Sequence, residues 1–96
     1  MKKNKAVHIS VSGRVQGVAF RHYARLEARR YGLVGWVRNV KDGTVELFCA
    51  GDEEQISRFL AWLKQGPPLA QVEQVKWQLE SWPTNPQLDF IIWPTV

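Results

Sequence analysis

The spacing of apolar residues switches between two periods along the chain, and each switch marks an element. Val7, Ile9 and Val11 alternate with His8, Ser10 and Ser12, the period of a half-buried strand ending at Gly13. Residues 14–19 read as a loop. From Phe20 the interval becomes helical: Phe20, Tyr23, Ala24, Ala28 and Tyr31 share one face, and Gly32 is a stop. Residues 33–41 and 44–50 are rich in β-branched and aromatic types, and Asp42-Gly43 between them is a hairpin signal. Asp52-Glu53-Glu54 opens a second helix, its acids sitting where the helix dipole favours them. The stripe Ile56, Phe59, Leu60 and Leu63 gives that helix a buried face, and Gly66-Pro67-Pro68 ends it. Val75, Trp77 and Leu79 alternate again as a strand. Pro83 and Pro86 bracket a loop, and Phe90-Ile91-Ile92-Trp93 forms a short last strand before Pro94.

The order is β-α-β-β-α-β with a short extra C-terminal strand. Right-handed crossovers lay both helices on one face of a mainly antiparallel sheet. The expected fold class is therefore α+β, a ferredoxin-like two-layer sandwich. At 96 residues the chain suits a single domain spanning 1–96. That architecture serves binders, regulators and enzymes alike, so function must come from a site.

Composition narrows the class. With 45% hydrophobic and 23% charged residues the chain is neither disordered nor fibrous. No apolar run approaches the length that spans a bilayer, and Lys2, Lys3 and Lys5 precede an alternating strand rather than a signal-peptide apolar region. Residues 1–5 read as a flexible basic tail. Cys49 is alone, which excludes an intrachain disulfide and suits the reducing cytoplasm. Two His and one Cys, each in a different element, make no zinc site.

Charge is lopsided. Residues 1–41 hold ten basic residues and one acid, a balance of +9, whereas residues 42–96 carry −5. An anionic partner follows: nucleic acid, a membrane surface or a small phosphorylated molecule.

Gly13-Arg14-Val15-Gln16-Gly17-Val18-Ala19-Phe20-Arg21 joins a strand to a helix N-terminus. Such a junction presents unpaired N–H groups and the positive end of the dipole to an anion. Gly17 lets the backbone curl around a ligand with no Cβ in the way. Arg21 in the first turn opposes the macrodipole at about 0.3–1 kcal/mol, a penalty that a bound anion reverses. Arg25 and Arg29 follow at i+4 spacing and read as a solvated helix face. Asn39 is the second unusual residue, since Asn is depleted within strands. It belongs either to the turn ahead of Asp42-Gly43 or to a site, where its carbonyl would accept from a water.

These residues resemble the acylphosphatases. Gly13 to Arg21 matches that family's first signature. Gly35-Trp36-Val37-Arg38-Asn39-Val40-Lys41-Asp42-Gly43-Thr44-Val45-Glu46 matches the second, and Gly66 to Val72 is similar to its usual connection after helix 2. The likeness covers about residues 6–80; Ser81 to Val96 is less typical. It implies a hydrolase that splits the carboxyl–phosphate bond of acyl phosphates without metal or cofactor. By this resemblance Arg21 binds the phosphate, the backbone amides of Val15, Gln16, Gly17, Val18, Ala19 and Phe20 cradle it, and Asn39 orients the attacking water. The implied partners are a small acyl phosphate and inorganic phosphate or a similar anion, with no nucleic acid, no membrane and a monomeric state. The alternatives are a small nucleic-acid-binding module or a phosphate-sensing ferredoxin-like module.

Overall fold

The computed structural model describes residues 3–85 and 88–96. Met1 and Lys2 of the expected tail, and Pro86 of the expected loop bracket, lie outside the described residues. The elements run β1 (Asn4–Arg14), α1 (Phe20–Arg30), β2 (Val34–Asn39), β3 (Val45–Asp52), α2 (Glu53–Gln65), β4 (Gln71–Glu80) and β5 (Phe90–Ile92). The sheet order is β4-β1-β3-β2-β5. Its pairings are antiparallel except that of β2 with β5. The expected ferredoxin-like architecture is what forms.

Both helices lie on one face. α1 rests on β2 and β5, and α2 on β4 and β3. Phe20, Ala24 and Ala28 turn the buried stripe of α1 inward, and Ile56, Phe59, Leu60 and Leu63 do so for α2. They meet Val7, Ile9 and Val11 of β1 and Val45, Leu47 and Cys49 of β3. Phe59 stands edge-on to Phe90 at 5.9 Å between centroids, tying α2 to the last strand. Burial removes Cys49 from water and pushes its thiol pKa up to about 12.

On the other face the carboxylate of Glu46 accepts from Arg38 Nε and from His8 Nε2, each at 2.6 Å. Arg38 lies over the ring of Trp36 at 4.8 Å, and Trp36 stacks on Trp93 at 4.4 Å.

Several details depart from the sequence reading. The basic tail is shorter: Asn4 and Lys5 pair with Asp52 and Gly51, and the carbonyl of Lys3 accepts the Glu53 N–H. Backbone pairing along β3 outlasts the apolar alternation that the sequence reading used. Tyr23 leaves the buried stripe and is exposed. β4 forms, but only Val72 and Val75 of its apolar residues pack against the core. Trp77 and Leu79 pair with Ile9 and Val7, which are buried, yet remain 51% and 62% exposed on the edge strand, at the margin of the helix layer.

Two junctions matter for the site. β1 slips register between Ser12 and Gly13, a bulge that bends the strand into the following loop. Gly13 has φ +118°, and a Cβ there would meet the Gln71 carbonyl oxygen at 2.2 Å. Between β2 and β3 the connection spans residues 40–44 rather than Asp42-Gly43 alone. Asp42 Oδ1 accepts the Thr44 N–H at 2.9 Å and its hydroxyl at 2.7 Å. This Asx turn, beginning three residues beyond Asn39 at the end of β2, closes the hairpin.

Candidate active site

The end of β1, the start of α1 and the end of β2 meet at one pole of the molecule. They enclose a hollow of about 250 Å³ lined by Val15, Gln16, Gly17, Ala19, Phe20, Arg21, His22, Asn39 and Ile92. The loop and the asparagine, 18 residues or more apart in sequence, thus share one cavity. Val18 alone of the expected cradle residues does not line it; its side chain is buried in the core.

The loop backbone is shaped for an anion. Gly17 has φ +75° and Ala19 has φ +59°, with Val18 between them on the negative side. Alternation of this kind turns successive N–H groups toward one concave side, a nest. A left-handed alanine costs about 1–2 kcal/mol, so the surrounding structure holds it there against local preference. α1 has no side-chain cap and no acid in its first turn, so its leading amides have no intrinsic anion. α2 differs, with Glu53 and Glu54 in that position.

Arg21 lies partly buried in the first turn of α1. Among the described residues its guanidinium joins no ion pair. Other cations are engaged. Arg38 is held by Glu46 on the opposite face, and Arg29 makes a two-pronged contact with Asp89 at 2.7 and 2.9 Å. Arg25 and Arg29 do not line the hollow.

Asn39 is the last residue of β2. Its backbone carbonyl accepts the Val96 N–H at 3.1 Å. Its side-chain Oδ1 is buried and has no hydrogen-bond partner among the described residues. An orphaned buried acceptor costs about 1–3 kcal/mol unless a donor arrives, and a water in the hollow is such a donor.

One contributor was not visible in the sequence. The Gln16 side-chain amide donates to the carbonyls of Val40 at 2.7 Å and Thr44 at 2.8 Å. It staples the loop to the β2–β3 hairpin and so sets the separation of the loop amides from Asn39. His22 and Ile92 also line the cavity without having been expected there. No group of three His, Cys, Asp or Glu that could hold a metal occurs among the described residues. No helix among them is long and apolar enough to cross a membrane.

The family model "Acylphosphatase" matches residues 7–92, which includes every lining residue of this cavity. The chain belongs to the acylphosphatase family. It is 50% identical over 80 residues to an acylphosphatase of Thermococcus kodakarensis, covering 81% of this chain and 87% of that one. It is 52% identical over 71 residues to an acylphosphatase of Thiobacillus denitrificans, covering 74% and 80% respectively. The structure of an acylphosphatase from Coxiella burnetii superposes with a TM-score of 0.88 at 38% identity, covering 93% of this chain and 92% of that one. The acylphosphatase match reaches through β5, beyond the stretch of sequence that first suggested it. The less typical C-terminal residues therefore form part of the family fold and supply Ile92 to the cavity.

Proposed function

We propose that this member of the acylphosphatase family hydrolyses the carboxyl–phosphate bond of acyl phosphates with Arg21 and the amides of residues 15–20 binding the phosphoryl group and Asn39 orienting the water. The buried Oδ1 of Asn39 and the guanidinium of Arg21, both without partners among the described residues and both lining one hollow, carry this reading. A module that only bound phosphate would have no use for an acceptor awaiting a donor.

The chemistry suits the residues. Phosphoryl transfer passes through a loose transition state with charge spread over the equatorial oxygens. The fork of Arg21 and the nest amides match that charge at fixed positions. Asn39 Oδ1 accepts one hydrogen of the water and aims its lone pair at phosphorus. The new P–O bond forms as the acyl C–O–P bridge breaks on the phosphorus side, and the carboxylate leaves with the bonding pair. An asparagine is not basic enough to take the proton, so a phosphoryl oxygen takes it. The products are a carboxylate and inorganic phosphate. A cytoplasmic monomer completes the proposal; the lone Cys49 supports the reducing compartment.

Hydrolysis of benzoyl phosphate in the presence of EDTA tests the roles. Arg21→Ala is expected to lose turnover and phosphate inhibition together, with kcat/KM down by about 10²–10³ or more. Asn39→Ala is expected to lower kcat by a similar factor while inorganic phosphate still inhibits. Near-normal turnover by Asn39→Ala would exclude the water-positioning role.

A further inference from the structure

The two edges of the sheet differ. β5 is three residues long and Pro94 follows it closely, so it offers little for another strand to pair with. β4 runs ten residues, and its outer side pairs with no strand among the described residues. Residues 74–80 hold no proline, follow β1 without a register shift and carry Lys76 as their one basic residue. Such an edge is a template for a further strand. We propose that β4 is a self-association surface, on which a second copy of this chain adds its own β4 antiparallel about a twofold axis. This goes beyond the reading of the catalytic site and leaves each chain a complete catalytic unit. The single chain is the form at low concentration, and the pair forms as concentration rises.

The sequence of β4 is complementary to itself. Twofold symmetry that keeps both helix layers on one side centres the ladder on one residue, and opposed side chains then share a face. With Gln78 at the centre, Lys76 opposes Glu80 of the second copy on the open face, and Trp77 opposes Leu79 of the second copy on the helix face. Symmetry makes each pair twice. Centred on Lys76, the two lysines would face each other; centred on Trp77, Lys76 would meet Gln78 and form no ion pair. Charge thus selects the register. Lys76 joins no ion pair of its own chain among the described residues. Gln78 Nε2 donates to Glu80 Oε1 at 3.2 Å, which holds that carboxylate beside the centre.

Burial supplies the driving force. The exposed Trp77 and Leu79 border a hollow of about 400 Å³ between β4 and α2, which Val7, Ile56 and Leu60 also line. Trp77 and Leu79 of the second copy stand across the edge and cover that apolar surface. The catalytic hollow lies elsewhere. Gln71 of β4 pairs with Arg14 beside the loop, whereas Glu80 pairs with Ala6 toward the start of β1. Pairing centred on Gln78 therefore leaves the catalytic hollow open in both copies.

Sedimentation velocity from ~10 µM to ~1 mM chain tests the pair in the wild type, Lys76→Glu, Glu80→Lys and an equimolar mixture of the two variants. The wild type is expected to pass from the mass of one chain to that of two. Each variant alone opposes like charges at both pairs, and its association is expected to weaken by roughly tenfold or more. The mixture restores both ion pairs with their signs exchanged and is expected to recover wild-type association. Both positions are exposed, so kcat/KM per chain on benzoyl phosphate is expected to stay within about twofold in either variant. A wild type that remains one chain at the highest concentration overturns the proposal, as does growth beyond two chains. Single variants that pair as well as wild type, or a mixture that pairs no better than either variant alone, also overturn it. Association is read without substrate, so loss of the phosphoryl-site reading leaves the pair standing.

Discussion

Gln16 does with a side chain what the neighbouring residues do with their backbone. Its amide spans from the loop to two carbonyls of the β2–β3 connection, at 2.7 and 2.8 Å. Removing it breaks no ligand contact in the proposed mechanism but frees the cradle to shift relative to Asn39. A displacement of about 1 Å costs on the order of 10²-fold in a reaction that depends on alignment. Gln16→Ala is therefore expected to lower kcat by about 10–10²-fold with little change in phosphate inhibition. Gln16→Glu should not rescue it, because a carboxylate oxygen would face two carbonyls with no hydrogen to donate. Steady-state kinetics with phosphate as inhibitor decides the matter; if phosphate affinity collapses along with kcat, Gln16 shapes the cradle itself. The same residue marks what sequence reading could reach. Gly17, Arg21 and Asn39 were legible because each violates a local preference. Gln16 violates none, and its acceptors lie 24 and 28 residues away, so only the folded chain reveals its role.

At the scale of elements, both helices were legible because apolar stripes and glycine stops agree. The first runs from Phe20 toward Gly32, and the second from the acids at residues 52–54 to Gly66. The burial of β4 was not legible. Alternation in Val75, Trp77 and Leu79 signals a strand, but which strand falls at the sheet edge depends on pairings that no local pattern encodes. The face opposite the helices holds a testable link between β1, β2 and β3. Burial alone would raise the pKa of Glu46, but hydrogen bonds from Arg38 and His8 outweigh it and hold the carboxyl below its usual value. A carboxylate with a depressed folded pKa contributes stability above its unfolded pKa near 4.5, and loses it as pH falls through the lower folded value. Glu46→Gln should thus be less stable than wild type at pH 7, by about 1–3 kcal/mol for a lost charge-assisted pair. The two denaturation midpoints should converge well below pH 4.5, where both side chains are neutral. A constant difference across that range would show that the ion pairs contribute nothing.

For the whole molecule, the long axis of 37 Å gives the +9 of residues 1–41 a spatial meaning. Screening limits the reach of an exposed charge to about 8 Å at physiological ionic strength. β1 runs the length of the domain, so Lys3 and Lys5 stand roughly 30 Å from the loop at its other end. Arg38 is compensated by Glu46. The field that meets a substrate thus comes from Arg21 and its near neighbours, not from the half-chain total. Neutralising Lys3 and Lys5 together should leave kcat/KM within about twofold at all salt concentrations, whereas the wild-type value should fall several-fold between about 10 and 200 mM salt. A large effect of the distant pair, read in the same assay, would refute this account.

The union of β2 with β5 also sets an order of events during synthesis. Asn39 has its neighbours in β3 early, but its carbonyl waits for the Val96 N–H and its cavity for Ile92. Closing that contact spans more than half the chain and is slow by comparison with local pairing. A chain cut after β4 would lack both the Val96 N–H at Asn39 and Ile92 in the cavity lining, and is expected to lose turnover. The same short segment thus both completes the sheet beside β2 and finishes the wall of the cavity.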